Sequence, residues 1–278
     1  MKIVNIVVNN PIFIELQYLT IKKFIDENNE YIIFNDGKNW PDMSNFWDIN
    51  EGREGIKNKC NELNIKCIDI PNDHHKKMYD GGLRHTDSLR FVLNYMKNNL
   101  DEYLMLDSDM FLIDKLDLDK YRKSNCVGVL QERSDYNLIY IWPNLFYMNM
   151  NTIKNKDLID LSKVNGGDTG SATDKWLKSF TYNYNDMRTK GIQNSDFYLI
   201  KHLCSCSWNE SMLPLNIDKN ILNFLNNDGR NQNGYFFAEI YDNTILHYRA
   251  GSNWTEHHKM IHNKNINNLI TFIKMIVR

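Results

Sequence analysis

The sequence predicts an α/β fold of the Rossmann type: a mostly parallel central sheet flanked by helices, with a smaller region beside it. Three observations predict it. Residues 2–8 and 31–34 are apolar, β-branched runs separated by a helix-spaced segment, the strand–helix–strand opening of a nucleotide-binding unit. The run Tyr103 to Leu106 shows no polar alternation, which suits a strand buried on both faces. It leads into two carboxylates one residue apart, Asp107 and Asp109. Open α/β sheets bind ligands there, in the crevice outside the carboxyl ends of their strands.

The elements follow in order. Pro11 suits the first turn of a helix that runs to about Asp26 on the stripe Ile12, Leu16, Leu19, Phe24 and Ile25. The strand at 31–34 ends in Asn35-Asp36-Gly37, where Asp36 reads either as a ribose or base contact or as a simple turn residue. Residues 54–63 read as a helix and 66–70 as a third strand. His74 and His75 read as part of a solvated loop. A helix opens at Gly81-Gly82 with Leu89, Val92 or Leu93, Met96 and Leu100 as its buried stripe. Arg84, Asp87 and Ser88 share one face near its N-terminus, which places them at an anion site or, alternatively, pairs Arg84 with Asp87 on the surface.

Beyond the acidic strand, 125–130 and 138–142 read as strands, and 143–150 is rich in aromatics and Asn. Asp168 lies in the Gly-rich loop 165–174, where a carboxylate can approach a ligand or cap the next helix. Asp196 heads an apolar segment and reads as a second candidate base or as a helix-terminal charge. The stretch 244–254 delivers His247 from a short strand, then Arg249, Gly251 and Trp254. A lone His after a strand is usually a hydrogen-bonded core residue, and here it would have a task as a further metal ligand. Residues 266–277 form an amphipathic tail that docks on the body.

Bulk properties narrow the classes. The 278 residues are 42% hydrophobic, enough for one large core or a core with a lobe. A net charge of -2 and a pI of about 6.4 argue against a nucleic-acid partner. Five cysteines, an odd count without a Cys-x-x-Cys, point to reduced thiols and a cytoplasmic setting. Cys204 and Cys206 read as neighbours on a strand or turn rather than a zinc site. No run reaches the roughly 18 apolar residues of a membrane span, and no signal-peptide pattern opens the sequence. The abundant Tyr, Phe and Trp suit both a core and stacking on sugar faces.

With Asp107-Ser108-Asp109 and the His247–Trp254 stretch in view, the chain resembles the GT-A glycosyltransferases. The nearest likeness is to the glycogenin and lipopolysaccharide galactosyltransferase family. That family pairs Asp-x-Asp with a late His-x-x-Gly-x-x-Lys-Pro-Trp. Here the Gly stands four residues after the His, and Ser252-Asn253 replaces Lys-Pro. The chain also looks like the small GT-A enzymes of large DNA viruses. The resemblance implies one catalytic domain over 1–254, with a nucleotide-sugar half (1–114) and an acceptor half (115–254), followed by a helical tail (255–278). It implies Mn²⁺ or Mg²⁺ on Asp107, Asp109 and His247.

The donor would be a nucleotide-diphosphate sugar, UDP-linked, and the acceptor a hydroxyl of a glycan. Asn9 and Asp36 would read the nucleoside, and Arg84 and Asp87 would orient the sugar. Ser108, Arg249, Gly251 and Trp254 complete the implied donor site. Acceptor contacts would come from Trp142, Asn144 and the 166–170 loop, with Asp168, then Asp196, as candidate bases of an inverting reaction. Two rival readings are a nucleotidyltransferase acting on sugar phosphates and a non-catalytic carbohydrate-binding module. The first lacks its Gly-rich basic signature, since Asn9-Asn10-Pro11 follows the first strand.

Overall fold

The computed structural model describes residues 1–40, 52–181, 194–214, 217–251 and 259–278. Eleven strands are described in two sheets. The first half of the chain alternates strand and helix: β1 (Lys2–Val7), α1 (Pro11–Phe24), β2 (Glu30–Asn35), α2 (Arg53–Glu62), β3 (Lys66–Asp69), α3 (Gly81–Asn98) and β4 (Glu102–Leu106). Then follow β5 (Met110–Leu112), α4 (Leu118–Arg122), β6 (Cys126–Arg133), β7 (Leu138–Asn149), α5 (Thr173–Leu177), β8 (Phe197–Leu199) and β9 (His202–Leu203). The last elements are α6 (Lys219–Asn226), β10 (Glu239–Tyr241), β11 (Ile245–His247) and α7 (Lys259–Ile276).

The larger sheet has the order β3-β2-β1-β4-β7-β6-β8. β3, β2, β1 and β4 are parallel, and β7 alone runs against its neighbours. The chain lays β2 and β3 on one side of β1, then returns through α3 to place β4 on the other. That reversal makes β1 and β4 the topological switch point, where the strand ends leave a crevice. The mixed α/β fold with a mostly parallel sheet is as the sequence predicts.

Both faces of the sheet are covered, which explains the unalternating apolar runs. On one face Ile3, Val7 and Leu104 pack with Ile14 and Ile21 of α1 and Ile56 and Cys60 of α2. On the other, Val4, Ile6, Tyr103 and Met105 pack with Leu89, Val92 and Met96 of α3. β7 runs straight through Pro143, which a central strand normally rejects. Gly128 pairs with Phe146 and Leu130 with Ile141, so residues 142–145 of β7 bulge opposite Val129 and carry Pro143 out of the ladder.

The smaller sheet is antiparallel, in the order β5-β11-β10-β9. It rests on α6 and α7, whose Phe224, Leu225, Leu269, Phe272 and Ile273 join Phe111, Ile240 and Leu246 in a third core cluster. The tail helix therefore docks on the body. No described helix is long and apolar enough to cross a membrane. β4 belongs to the parallel sheet and β5 to the antiparallel one, so Asp107-Ser108-Asp109 is the elbow between them.

Candidate active site

The elbow is held from behind by a buried glutamine. Gln17 of α1 donates through Nε2 to the Asp107 and Met110 carbonyls at 2.9 and 2.6 Å. Its Oε1 accepts from Asn5 Nδ2 and the Tyr31 hydroxyl at 2.6 and 2.5 Å. Both polar atoms of the Gln17 amide are engaged, and a buried polar network of this kind fixes the backbone geometry in a low-dielectric core. In the sequence the signal is a polar residue in the apolar stripe Ile14, Gln17, Ile21.

Asp107 and Asp109 face His247, which pairing of β11 with β5 sets opposite Met110. Ligand atoms of Asp107, Asp109 and His247 lie within 4.8 Å of one another. His247 Nε2 is 3.1 Å from Asp109 Oδ1. Its Nδ1 is 2.9 Å from Glu239 Oε2, so a carboxylate orients the ring from behind. Asp107 Oδ2 accepts from Asn144 Nδ2 at 2.5 Å, and its Oδ1 from the Ser108 N–H at 2.8 Å.

The electrostatics follow from this crowding. Burial pulls the His247 pKa down, but Asp109 and Glu239 overcome it and raise it to about 10. Burial pushes Asp109 up, and the His247 charge and hydrogen bond hold it below the usual carboxylate range. Asp107 is raised, by burial and then by the Asp109 charge. Burial also pushes Glu239 up, against the neighbouring His202 and hydrogen bonds from His247 and Tyr241, which together hold it far below its ordinary value. Two hard carboxylates and an imidazole with a carboxylate behind it are a donor set that fits Mn²⁺ or Mg²⁺. Glu239→Gln is expected to raise the half-saturating Mn²⁺ concentration by about 10–100-fold, read by calorimetric titration of the chain with the metal. An unchanged half-saturating concentration would show that Glu239 does not support an ion there.

The turn after β11 closes over Asp109. Gly251 N–H donates to Asp109 Oδ2 at 2.8 Å, and Asn10 Nδ2 donates to the Gly251 carbonyl at 2.5 Å. Arg249 and Ala250 have φ of 65° and 54°, the left-handed region. Arg230 holds these strained residues through the Arg249 and Tyr248 carbonyls at 2.8 and 2.9 Å, and is itself paired with buried Asp228. Arg249 is exposed, with its guanidinium 5.3 Å from the Phe237 ring centroid. Trp254 lies outside the described residues.

The structure redistributes the nucleotide-side residues. Asn9 is buried just past β1. Asp36 is buried, and its oxygens accept from Lys38 at 2.6 Å, Asn72 at 2.7 Å and Ser88 at 2.9 Å. Its carboxylate therefore positions Lys38 and Asn72 more than it presents itself. Asp87 accepts from His74 and His75, at 2.9 and 3.1 Å, and Arg84 Nε donates to the Met78 carbonyl at 2.6 Å. The face of α3 bearing residues 84, 87 and 88 thus packs on 72–78 and Asp36. Asp80 caps α3 through the Gly82 and Leu83 N–H groups, so the expected anion site there is already filled.

The α3 residue that reaches the crevice is His85, which the sequence reading missed. It feels the Asp107, Asp36 and Asp168 carboxylates, while burial holds its pKa below the ordinary value. It continues the stripe Leu89, Val92, Met96 by one turn, which was the available signal.

The two candidate bases separate. Asp168 is exposed and acts electrostatically on His85 and Tyr140, on the crevice side. Asp196 does not share that side. It precedes Phe197, which is level with Cys126, Met148 and Tyr103 across the sheet. That is the amino end of β4, about 16 Å along the strand from Asp107. Asp196 pairs there with Lys154 at 3.0 Å. The chain order could not reveal this, because it depends on which strand β8 joins.

No family model matches the chain, and no curated protein does. Among solved structures, it aligns with the galactosyltransferase LgtC in complex with donor and acceptor sugar analogs. Identity is 15% over 54% of this chain and 58% of that one, with a TM-score of 0.34. It aligns with the PaToxG glycosyltransferase at 16% identity, 63% and 67% coverage and TM-score 0.33. For mouse xyloside xylosyltransferase 1 the values are 9%, 75% and 87%, and 0.34. The chain spans a little over half the length of the galactosyltransferase. Superpositions this loose assign neither a family nor an activity.

Proposed function

We propose that the protein is a GT-A-type glycosyltransferase. It moves a sugar from a nucleotide-diphosphate sugar, UDP-linked, to a hydroxyl of a glycan, with Mn²⁺ or Mg²⁺ held by Asp107, Asp109 and His247. The observation that carries this reading is the convergence of those side chains at the switch point between β1 and β4, with Glu239 behind His247. When bound, the ion neutralises charge on the departing diphosphate.

The chain's own residues do the rest. Gln17 fixes the backbone of the elbow, and the Gly251 N–H holds the Asp109 carboxylate. Asp36, through Lys38 and Asn72, shapes the nucleoside end. Asn144 orients Asp107. Trp142, stacked 5.9 Å from Tyr241, and the loop bearing Asp168 face the acceptor. Asp168 is the base if the anomeric configuration inverts. A carbohydrate-binding module would have no use for a buried imidazole oriented by a carboxylate onto two more carboxylates.

A screen of nucleotide sugars for Mn²⁺-dependent hydrolysis, with the product anomer read by NMR, tests the proposal. Release of UDP from a UDP-sugar is expected. No turnover with any common nucleotide sugar would contradict it. An inverted product lost in Asp168→Asn would assign the base, and a retained product would remove Asp168 from that role.

A further inference from the structure

The smaller sheet carries a second set of metal-ligating side chains, on the far side of Glu239 from His247. His202 lies in β9 at the edge of the sheet, and Cys204 follows directly after that strand. The register sets Tyr241 opposite His202 and Ile240 opposite Leu203, which brings Glu239 beside Cys204. Glu239 Oε1 lies 3.5 Å from His202 Nε2 and 3.9 Å from Cys204 Sγ. One ligand atom from each of the three falls within 4.8 Å of the others.

Two details mark this cluster as more than a chance meeting. The His202 ring is stacked flat on Tyr241, with centroids 4.4 Å apart and planes 12° apart, so its direction is fixed. Its Nε2 is buried, and its one polar neighbour among the described residues' ion pairs, Glu239 Oε1 at 3.5 Å, is too distant for a well-formed hydrogen bond. A buried ring nitrogen without a well-formed hydrogen bond is costly, and such atoms call for an explanation. Glu239 also divides its oxygens. Oε2 serves Tyr241 and His247, while Oε1 faces His202 and Cys204 and accepts from the Ser205 N–H at 3.1 Å. Cys204 is exposed, so the site is open to an ion from solution.

We propose that His202, Cys204 and Glu239 form a second metal site that takes Zn²⁺ or a similarly thiophilic ion. A thiolate, an imidazole and a carboxylate are a zinc donor set, with a fourth position left for water. Cys204 enters as the thiolate, its proton passing to solvent. The oxygen-rich Asp107, Asp109 and His247 set selects a harder ion. The two sites share Glu239, so zinc would stiffen the carboxylate that orients His247. In the sequence Cys204 and Cys206 read as neighbours rather than a zinc site, because no matching ligand pair follows them. The ligands come instead from two residues before Cys204 and from the next strand of the sheet.

The cluster of His74, His75 and Asp87 is a poorer candidate. Lys38 Nζ sits 2.8 Å from His75 Nδ1. A metal on Nε2 would put the ring proton on Nδ1, against that ammonium.

Cobalt(II) separates the two proposed sites, because a thiolate ligand gives it a sulfur-to-metal charge-transfer band that oxygen and nitrogen ligands do not. The full chain, stripped by chelator, is titrated with Co²⁺ and then with Zn²⁺. A near-ultraviolet band saturating at one cobalt per chain and displaced by Zn²⁺ is expected. Cys204→Ser should lose the band, while Cys206→Ser and Asp109→Ala keep it. His202→Ala should raise the half-saturating Co²⁺ concentration at least about tenfold. No band in the unaltered chain, or one that survives Cys204→Ser, overturns the proposal. The band reads the thiolate alone, so it can fail while Mn²⁺-dependent donor turnover stands.

Discussion

Asp109→Ala is expected to lower Mn²⁺-dependent hydrolysis of a nucleotide-sugar donor by at least about a thousandfold, roughly 4 kcal/mol of transition-state stabilisation. Asp109 is 4% exposed, and its two oxygens do different work. Oδ1 faces His247 Nε2, and Oδ2 holds the Gly251 N–H. The alanine removes a proposed metal ligand and releases the turn that closes the site. Asp109→Asn separates these effects, because the amide keeps an acceptor for Gly251 and nearly the same volume. Its thermal melt should stay close to that of the unaltered chain while turnover, followed as nucleotide release at saturating Mn²⁺, is still lost. Full turnover in Asp109→Asn would remove Asp109 from the metal set.

Gly251→Ala should cost both stability and activity. A Cβ there would stand 2.5 Å from Phe13 Cε2, 2.7 Å from Asp109 Cβ and 2.9 Å from Asp109 Oδ2. Neither neighbour has room to yield. Phe13 is buried and packs edge-on against Phe111 and Tyr248, and Asp109 is pinned by His247. The turn must therefore lift, breaking its bonds to Asp109 and Asn10. Overpacking of this kind costs about 1–3 kcal/mol, which lowers the melting temperature by several degrees in a chain of this size. The half-saturating Mn²⁺ concentration should rise as well. An unchanged melt and metal dependence would show that the turn is not held against Asp109.

The first half of the fold was legible because its physics is local. Parallel strands buried on both faces leave unalternating apolar runs, and β1, β2 and β4 carry them. The helix stripes of α1 and α3 are equally local. The acidic elbow and His247 could be singled out by chemistry alone. Their separation into two sheets could not, because pairing of β5 with β11 joins distant parts of the chain.

The misses share that cause. Asp196 was read as a crevice residue, yet the parallel pairing of β8 with β6 sets it at the opposite edge. Arg84, Asp87 and Ser88 were chosen for sharing a helix face, but which face of α3 meets the crevice is set by packing on the sheet. His85, on the other stripe, was passed over. Glu239, Gln17 and Arg230 belong to no motif and act by holding other groups, so only their partners reveal them. Pro143 disguised the length of β7, since it sits in a bulge that only the pairing with β6 reveals.

The most direct test is a calorimetric titration of the full chain with UDP in the presence and absence of Mn²⁺. The site geometry predicts saturable UDP binding that requires Mn²⁺, is abolished by chelator and is absent in Asp109→Ala. Silence with UDP and every other common nucleotide, or UDP binding indifferent to both Mn²⁺ and Asp109, would contradict a metal–diphosphate site at the elbow between the two sheets.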